Sequence, residues 1–323
     1  MTTLPLVHIL FENEAWLEPL ETGLAAEGFS FRRVKLNEGI LDPSQTPAEG
    51  IWLNRLSPSS HTRGHDTTVA LGREFLAWLH AHGRRVVNGQ NAFELEMSKT
   101  RQDTALRRQG IVTPKTLLAI GHDHLVEAAA QFQGPFITKH NQGGKGLGIQ
   151  LFHSVSAFEK YIESDAFDAG PDGKIILQQY IKPPQPYITR VEIVGGRFVL
   201  AMRSSTEQGF ELCPSDACQV PSAGPDVCPA DGGGSKFSQS DVTADDPLVQ
   251  QYIRLCKTEN IEVAGIEFVE DENGQRYTYD INGTTNYSGV FGEKIGVDGM
   301  REFARYLRST VAPALERTKV TAA

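Results

Sequence analysis

Short apolar runs alternate with amphipathic stretches over the first 90 residues, a pattern typical of a small α/β domain. The runs that predict strands are residues 6–11, 31–34, 50–53 and 85–88. The helical stretches are residues 15–27 and a segment in which apolar side chains recur at helical spacing, namely Leu71, Phe75, Trp78 and Leu79. The order predicted for this part of the chain is therefore β-α-β-β-α-β.

The middle of the chain continues the alternation, and the last third changes to hairpins. Predicted helices cover residues 98–110, 125–132 and 155–163, and predicted strands cover 116–119, 135–139, 148–152 and 174–179. Beyond Pro183 and Pro184 the pattern predicts hairpins, followed by a final helix marked by Met300, Phe303, Ala304, Leu307 and Val311. Residues 204–241 are rich in Gly, Ser, Pro and Asp and predict a long loop.

One predicted hairpin sets two carboxylates against each other. If Asn273-Gly274 forms a two-residue turn, Glu267 lies directly opposite Asp280, and Asn282 follows on the same face. The other face then carries an apolar set, namely Ile266, Phe268, Tyr277, Tyr279 and Ile281. Like charges facing each other destabilise a sheet, and bound Mg²⁺ would explain the pair because it prefers oxygen ligands. The alternative is a solvated acidic face.

A second predicted hairpin turns at Gly195-Gly196. In that register one face is apolar, and the opposite face carries Arg190, Glu192 and Arg203, with the two arginines in diagonal positions. Guanidinium groups bind phosphate and carboxylate bidentately, so the pair suits the recognition of an oxyanion. The alternative is a solvent-exposed polar face.

A glycine-rich loop at residues 140–148 lies between two predicted strands and includes Lys145. Glycines let backbone N–H groups approach phosphate oxygens, although a structural hairpin loop is an equal alternative. Lys139 ends the preceding apolar strand, where a lysine favours a nearby anion. Its alternative is a long side chain that reaches out to solvent at the edge of the sheet.

Composition narrows the class of protein. The chain has 323 residues, 40% of them hydrophobic, and a net charge of −9, which argues against nucleic acid or an anionic membrane as a partner. It has no apolar run of membrane-spanning length and no signal-peptide pattern, so we expect a cytoplasmic protein. The four cysteines (Cys213, Cys218, Cys228 and Cys256) do not have the spacing of a zinc site; free thiols are the favoured interpretation, with a reversible disulfide within the long loop as the alternative.

The order of these motifs resembles the ATP-grasp superfamily, in particular its RimK-type glutamate ligases and related amino-acid and peptide ligases. The resemblance covers residues 85–310 and rests on the following succession: Lys99, Lys139, the glycine-rich loop, residues 178–181, Arg190, Arg203, residues 232–236, Glu267, Asp280 and Asn282. It implies an α/β (α+β) ATP-grasp fold in which a Rossmann-like domain precedes two α+β subdomains that grip ATP. The implied boundaries are 1–92, 93–182, 183–318 and a tail at 319–323.

The resemblance also implies roles for particular residues. Glu267, Asp280 and Asn282 would hold two Mg²⁺ ions, with Mn²⁺ as an alternative ion. Residues implied to contact ATP are Lys99, Lys139, Gln142, Gly143, Gly144, Gly146, Gln178, Gln179, Tyr180 and Ile181, the last four forming a hinge whose backbone meets adenine. Arg190 and Arg203 are implied to meet the transferred phosphate or the substrate carboxylate, and Lys145 belongs to the loop implied to close over the β- and γ-phosphates. Substrate candidates are Arg55, which follows a strand and has a polar loop as its alternative, and Thr284, Thr285, Asn286 and Tyr287.

The activity implied by the resemblance is that of an ATP-dependent carboxylate–amine ligase. It would form an amide bond through an acylphosphate and release ADP and phosphate, acting on an amino acid or a peptide. Two alternatives keep the fold: a small-molecule kinase, and an ATP-binding module without catalysis. The resemblance leaves the oligomeric state open, and since related ligases often assemble into dimers or tetramers, a homo-oligomer of either kind is compatible with it.

Overall fold

The computed structural model describes residues 4–144, 149–207, 237–287 and 289–321, which form three β-sheets flanked by helices. The α/β (α+β) class predicted from the sequence is confirmed. Outside the described residues lie 145–148 of the glycine-rich loop and 208–236 of the predicted long loop, with Cys213, Cys218 and Cys228. Among the described residues, no helix is both long and apolar enough to cross a membrane.

The first sheet is parallel and has the predicted β-α-β-β-α-β order. Its strands are β1 (Val7–Phe11), β2 (Phe31–Lys35), β3 (Ile51–Arg55) and β4 (Arg85–Val87), arranged β2-β1-β3-β4. The connecting helices are α1 (Glu18–Ala26) and α2 (Thr68–Ala81). Pro19 stands at the start of α1, where its missing N–H costs no hydrogen bond. The predicted helix 15–27 is therefore divided into a 3₁₀ turn, Glu14–Trp16, and α1.

The second sheet is antiparallel and has the order β5-β8-β6-β7. Its strands are β5 (Thr116–Ala119), β6 (Phe136–His140), β7 (Gln150–Phe152) and β8 (Ile175–Gln179). α5 (His122–Ala129) and α6 (Val155–Ile162) pack on this sheet, and α3 (Gln90–Glu96) and α4 (Lys99–Arg108) precede it in the chain. Ser98 caps α4 by accepting a hydrogen bond from Arg101 N, which places Lys99 at the first position of the helix.

The third sheet, also antiparallel, has the order β11-β10-β9-β12-β13. Its strands are β9 (Tyr187–Val194), β10 (Arg197–Ser205), β11 (Phe237–Gln239), β12 (Val263–Glu270) and β13 (Arg276–Asn282). The remaining helices are α7 (Pro247–Thr258), α8 (Gly289–Ile295) and α9 (Gly299–Thr321). α7 covers one face of this sheet, and Val249, Tyr252 and Leu255 are fully buried there.

The C-terminal helix packs on the N-terminal domain. Met300, Phe303 and Leu307 of α9 share one buried cluster with Leu20 and Leu24 of α1. The three sheets fall within the intervals 1–92, 93–182 and 183–318, whose limits as domain boundaries stay a prediction. α9 runs to Thr321, so the predicted tail at 319–323 is helical over its first three residues.

Candidate active site

A deep cleft separates the second sheet from the third. Its empty volume, counted together with the open solvent at its mouth, is about 1080 Å³. Predicted residues that line it are Lys99, Lys139, Gly143, Gly144, Gln178, Gln179, Tyr180, Ile181, Glu267, Asp280 and Asn282. The fold therefore brings together residues that are almost 200 positions apart in the sequence. Gln142 is buried but does not line the cleft, and Lys145 and Gly146 lie outside the described residues.

Lys139 forms the cationic centre of one wall. Its Nζ donates to Gln178 Oε1 at 2.9 Å and lies 5.5 Å from the centre of the Tyr279 ring. No carboxylate oxygen of the described residues lies within 4.0 Å of this ammonium group. Burial, with repulsion from Lys99, lowers the pKa of Lys139 to about 8. An anionic ligand would therefore complete its surroundings.

Two backbone N–H groups of the hinge at residues 178–181 form hydrogen bonds within the protein. Gln179 N donates to Lys115 O at 2.8 Å, and Tyr180 N donates to Pro135 O at 3.0 Å. These two donors are consequently committed within the protein. The predicted backbone contact to adenine would have to come from another group of the hinge.

The opposite wall carries the two predicted carboxylates. Glu267 of β12 pairs directly with Asp280 of β13, as the sequence predicted. Burial and the negative charge of Asp280 raise the pKa of Glu267, and this rise is only partly offset by Arg190. Burial also acts to raise the pKa of Asp280, but Lys99 and Lys139 outweigh it and lower that pKa. The Asp280 carboxylate accepts a hydrogen bond from Lys99 Nζ.

The hairpin reaches this pairing through a different turn from the one predicted. Asp271 N donates to Gln275 O at 3.0 Å, and Gly274 N donates to Asp271 O at 3.1 Å. Gly274 has a positive φ of 78°, whereas Asn273 does not, so the two-residue type I′ turn is wrong. The strands next to this longer turn are consequently one residue out of the predicted register.

A β-bulge restores the register before the carboxylates. Phe268 pairs with Thr278, whereas Glu267 pairs with Asp280, so Tyr279 is the extra residue. Thr278 points into the core, and Tyr279 lines the cleft. The predicted apolar face is thus correct for Ile266, Phe268 and Ile281 but wrong for Tyr279, and also for Tyr277, which pairs with the cleft-lining Val269.

The carboxylate pair is chemically suited to a hard cation. Glu267 and Asp280 supply oxygens from adjacent strands, and a cation between them would relieve the repulsion that raises the pKa of Glu267. Asn282 donates through Nδ2 to Gly265 O at 3.4 Å, which leaves its amide oxygen for a ligand. No group of three or more His, Cys, Asp or Glu side chains suited to a metal occurs in the described ranges. Such a site would therefore keep positions for phosphate oxygens or water.

Arg190 lies behind the carboxylate pair. It is buried, and its Nη1 donates to Glu267 Oε1 at 2.9 Å. Its Nε donates to Glu192 Oε1 at 2.6 Å. The predicted closeness of Arg190 to a carboxylate on the same face of the hairpin is confirmed.

The predicted position of Arg203 is wrong. A bulge at Val199 shifts the β9–β10 register, so Met202 rather than Arg203 shares a face with Arg190. The same bulge moves Leu200 and Met202 off the face of Val191 and into a separate apolar cluster. Arg203 instead pairs with the exposed Asp241 and lies 4.9 Å from the Tyr187 ring. It therefore stays outside the cleft.

The candidate substrate residues form a buried layer between the N-terminal domain and the third sheet. Arg55 donates to Thr285 O at 2.8 Å and to Asn286 Oδ1 at 2.6 Å. Its Nε and the Tyr287 hydroxyl are buried and find no hydrogen-bond partner in the part of the chain that the structure describes. Burial lowers the pKa of Arg55 to about 10. These side chains lie close to Arg190, because Thr285 Oγ1 also accepts from Arg190 Nη2 at 2.9 Å.

Sequence reasoning missed Asn141, which joins the two lysine-bearing elements. Its Oδ1 accepts from Ser98 Oγ at 3.2 Å, and from N and Oγ1 of Thr100 at 3.2 and 3.0 Å. The start of the glycine-rich loop is thereby fixed to the N-terminus of α4, where Lys99 stands. Its position directly before Gln142 was a signal that could have identified it.

Glu96 was also missed, and no local signal marks it. Its carboxylate accepts from Thr284 N at 2.9 Å and from Thr284 Oγ1 at 3.2 Å. Burial raises the pKa of Glu96 to about 7, although these hydrogen bonds oppose the rise. Glu96 thus anchors the segment that follows Asn282.

The chain is similar to known ligases over part of its length. Residues 97–211 match the family description "RimK-like ATP-grasp domain". A probable alpha-L-glutamate ligase of Stutzerimonas stutzeri is 26% identical over 234 residues, which cover 72% of this chain and 70% of the relative. A ribosomal protein bS6–L-glutamate ligase of Shigella flexneri is 31% identical over 129 residues, 40% of this chain and 42% of that relative. The chain thus spans 70% of the first relative and less than half of the second.

The fold has a counterpart that covers almost the whole chain. The crystal structure of a RimK domain protein ATP-grasp from Sphaerobacter thermophilus superposes with a TM-score of 0.65 at 16% identity, covering 93% of this chain and 98% of that one. At this level of identity the likeness concerns the fold alone. It confirms the fold that the resemblance implied from the sequence.

Proposed function

We propose that this chain, which carries a RimK-like ATP-grasp domain and has the ATP-grasp fold, is an ATP-dependent carboxylate–amine ligase. The observation that carries the proposal is the cleft in which Lys139 faces Glu267 and Asp280. A buried lysine without an anionic partner suits phosphate, and two opposed carboxylates suit the cation that accompanies it. The named relatives are ligases, in agreement with the activity predicted from the sequence.

The proposed reaction has two steps. An oxygen of the substrate carboxylate attacks the γ-phosphorus of ATP, and the bond from that phosphorus to the bridging β–γ oxygen breaks, giving an acylphosphate and ADP. The amine nitrogen then attacks the acyl carbon, the C–O bond to phosphate breaks, and the amine loses its proton to solvent. No side-chain nucleophile is needed, so positioning and charge stabilisation account for the rate.

The residues of the cleft divide these tasks. Lys139 would hold ATP phosphate oxygens, and Lys99 would join it once the Asp280 carboxylate takes another partner. Glu267, Asp280 and Asn282 would hold two Mg²⁺ ions, and Mn²⁺ could replace them. When bound, the metal neutralises charge on the phosphates. Gln142, Gly143, Gly144, Lys145 and Gly146 would close over the phosphates.

We further propose that one substrate is an amino acid, with glutamate as the first candidate because the named relatives are glutamate ligases. The second substrate would be an amino acid or a peptide. Arg55 supports this assignment, since it is a buried cation without a carboxylate partner among the described residues. Thr284, Thr285, Asn286 and Tyr287 would complete the substrate site. A dimer or tetramer and a cytoplasmic location stay predictions.

The test is a screen for ADP and phosphate release with MgATP against pairs of amino acids and short peptides. We expect release that requires both an acid and an amine, and an amide product in the mass spectrum. A stable phosphorylated product would instead identify a kinase. ATP binding without turnover across the panel would identify a module without catalysis.

A further inference from the structure

Glu192 is a fully buried carboxylate that neither lines the cleft nor belongs to the predicted metal site. Its Oε1 accepts from Arg190 Nε at 2.6 Å, and its two oxygens lie 2.9 and 3.0 Å from Thr285 Oγ1. A buried charge is costly unless it is paired and hydrogen-bonded. Both of its partners belong to the layer directly behind Glu267. The hydrogen bonds that stabilise the buried Glu192 charge therefore lie where they can affect the cleft.

The Arg190 guanidinium is held at each of its three nitrogens. Nε donates to Glu192, Nη1 donates to Glu267 at 2.9 Å, and Nη2 donates to Thr285 Oγ1 at 2.9 Å. In the β9–β12 register, Arg190 pairs with Glu267 and Glu192 pairs with Gly265, so the four residues follow one another along a single face. The guanidinium is therefore shared between two carboxylates.

Gly265 provides the space for this arrangement. A Cβ at this position would lie 2.0 Å from Arg190 Nη2 and 2.3 Å from its Cζ, distances that real Cβ atoms do not reach. The constraint is the close approach of the guanidinium, because the φ of Gly265 is not positive. Any larger side chain would push Arg190 away from Glu267.

We propose that Glu192 is a positioning residue, which holds Arg190 so that the Glu267 carboxylate is fixed in the direction required to bind the metal. The inference rests on the proposed function, because it takes Glu267 as a metal ligand. With Glu192 neutral, Arg190 would keep Glu267 as its only anionic partner among the described residues. The guanidinium would then shift, and the Glu267 carboxylate would turn from the direction that a cation requires.

The test compares Glu192→Gln with Gly265→Ala, which displaces the guanidinium without changing any charge. Mn²⁺ binding in the presence of a non-hydrolysable ATP analogue is measured by electron paramagnetic resonance, and thermal unfolding of each variant is measured alongside. Loss of a residue that orients a metal ligand costs about 10- to 100-fold in metal affinity, and we expect a loss of that size in both variants. We also expect the Mg²⁺ concentration for half-maximal ADP formation to rise more than the KM for ATP.

The matched control is Glu262→Gln, which neutralises a carboxylate that pairs with Arg85 and does not line the cleft. It should leave Mn²⁺ affinity unchanged. If Glu192→Gln and Gly265→Ala fold and keep wild-type Mn²⁺ affinity while Glu267→Gln loses it, the positioning role is overturned and the proposed function stands. If Glu267→Gln also keeps that affinity, the metal assignment fails and the positioning role fails with it. Should Glu192→Gln not fold, the result for Gly265→Ala decides.

Discussion

The two lysines of the cleft differ in their partners. Lys99, at the first position of α4, pairs with the Asp280 carboxylate on the hairpin wall. The contacts of Lys139, on β6, with the described residues are to the neutral Gln178 amide and to the face of the Tyr279 ring. Both side chains are buried to a similar extent, 7% exposed each. The difference is therefore one of charge pairing and not of depth.

This difference indicates which groups await a ligand. The Lys99–Asp280 pair is internally neutral, so phosphate and a metal would have to enter together, one for each member of the pair. Lys139 is already without a counter-ion among the described residues and can take phosphate directly. On ligand binding, the Lys99–Asp280 pair would thus exchange partners, whereas Lys139 would gain one.

Removing the carboxylate of the pair would have the largest effect. Asp280→Asn removes the anionic partner of Lys99, which then resembles Lys139, and it also deletes a proposed metal ligand. Metal charge stabilisation is worth several kcal/mol, so we expect ADP formation to fall about 10³-fold. Steady-state ADP release at saturating MgATP measures it.

The matched control is Asp271→Asn in the turn of the same hairpin, where the amide oxygen still accepts from Asn273 N and Gln275 N. It should retain wild-type turnover. Wild-type turnover of a folded Asp280→Asn variant would contradict the metal assignment.

Removing the unpaired cation should mainly weaken ATP binding. Lys139→Met deletes a charge-assisted hydrogen bond worth about 1.5–3 kcal/mol, so we expect the Kd for ATP to rise about 10- to 150-fold. Isothermal titration calorimetry with an ATP analogue measures it. Lys160→Met, on the exposed face of α6, is the control and should leave the Kd unchanged. An unchanged Kd in Lys139→Met would remove Lys139 from the phosphate site.

The unpaired lysine should also make ATP binding depend on pH. The pKa of Lys139 is about 8, below its ordinary 10.5, so the free protein loses this proton as the pH rises through 8. Bound phosphate favours the charged form, so ATP affinity should be full below pH 8 and fall by up to about tenfold per pH unit above it. Without ATP, the unfolded chain binds the proton more tightly, and this group makes the free energy of unfolding rise between pH 8 and 10.5.

Calorimetric titrations at pH 7, 8 and 9 measure the dependence on pH. Lys139→Arg provides the comparison, because arginine stays charged over this range. The fall in ATP affinity should be much smaller in that variant. An equal fall in both proteins would assign the titration to another group.

The smallest effect is expected outside the cleft. Arg203 is paired with an exposed carboxylate, and such pairs contribute about 0–1 kcal/mol. Arg203→Gln should therefore change turnover by less than about fivefold, whereas Arg190→Gln should reduce it far more because it leaves Glu192 and Glu267 buried without their shared cation. Steady-state kinetics of the two variants measure the contrast. Equal losses would return Arg203 to the active site.

The sequence predicted the fold and the members of the cleft better than the faces of its strands. Glu267 and Asp280 face each other as predicted, but only because the bulge at Tyr279 cancels the one-residue error introduced by the turn. In the β9–β10 hairpin the Gly195-Gly196 turn is followed by a bulge at Val199, and Arg203 is moved to the other face. Bulges depend on packing across the sheet, and the local pattern of apolar and polar residues carries no information about that packing.

Long-range polar contacts were equally beyond prediction. Asn88 donates to Val263 O at 2.8 Å and to Gly283 O at 2.9 Å, and thereby connects the N-terminal domain to the third sheet. Glu96 and Glu192 likewise find partners about 90 to 190 positions away. A lone polar residue in sequence has no feature that distinguishes such a buried connection from an exposed side chain. The structure identifies it through burial and geometry.

The central claim is that the opposed carboxylates of β12 and β13 bind the metal that accompanies ATP. A crystal structure with Mn²⁺ and a non-hydrolysable ATP analogue tests it most directly, because the anomalous signal of Mn²⁺ locates the ion. The account predicts a peak between Glu267 and Asp280, within coordination distance of an oxygen of each, with Lys99 moved from Asp280 to a phosphate. A peak elsewhere, with the Lys99–Asp280 pair intact beside bound nucleotide, would contradict it.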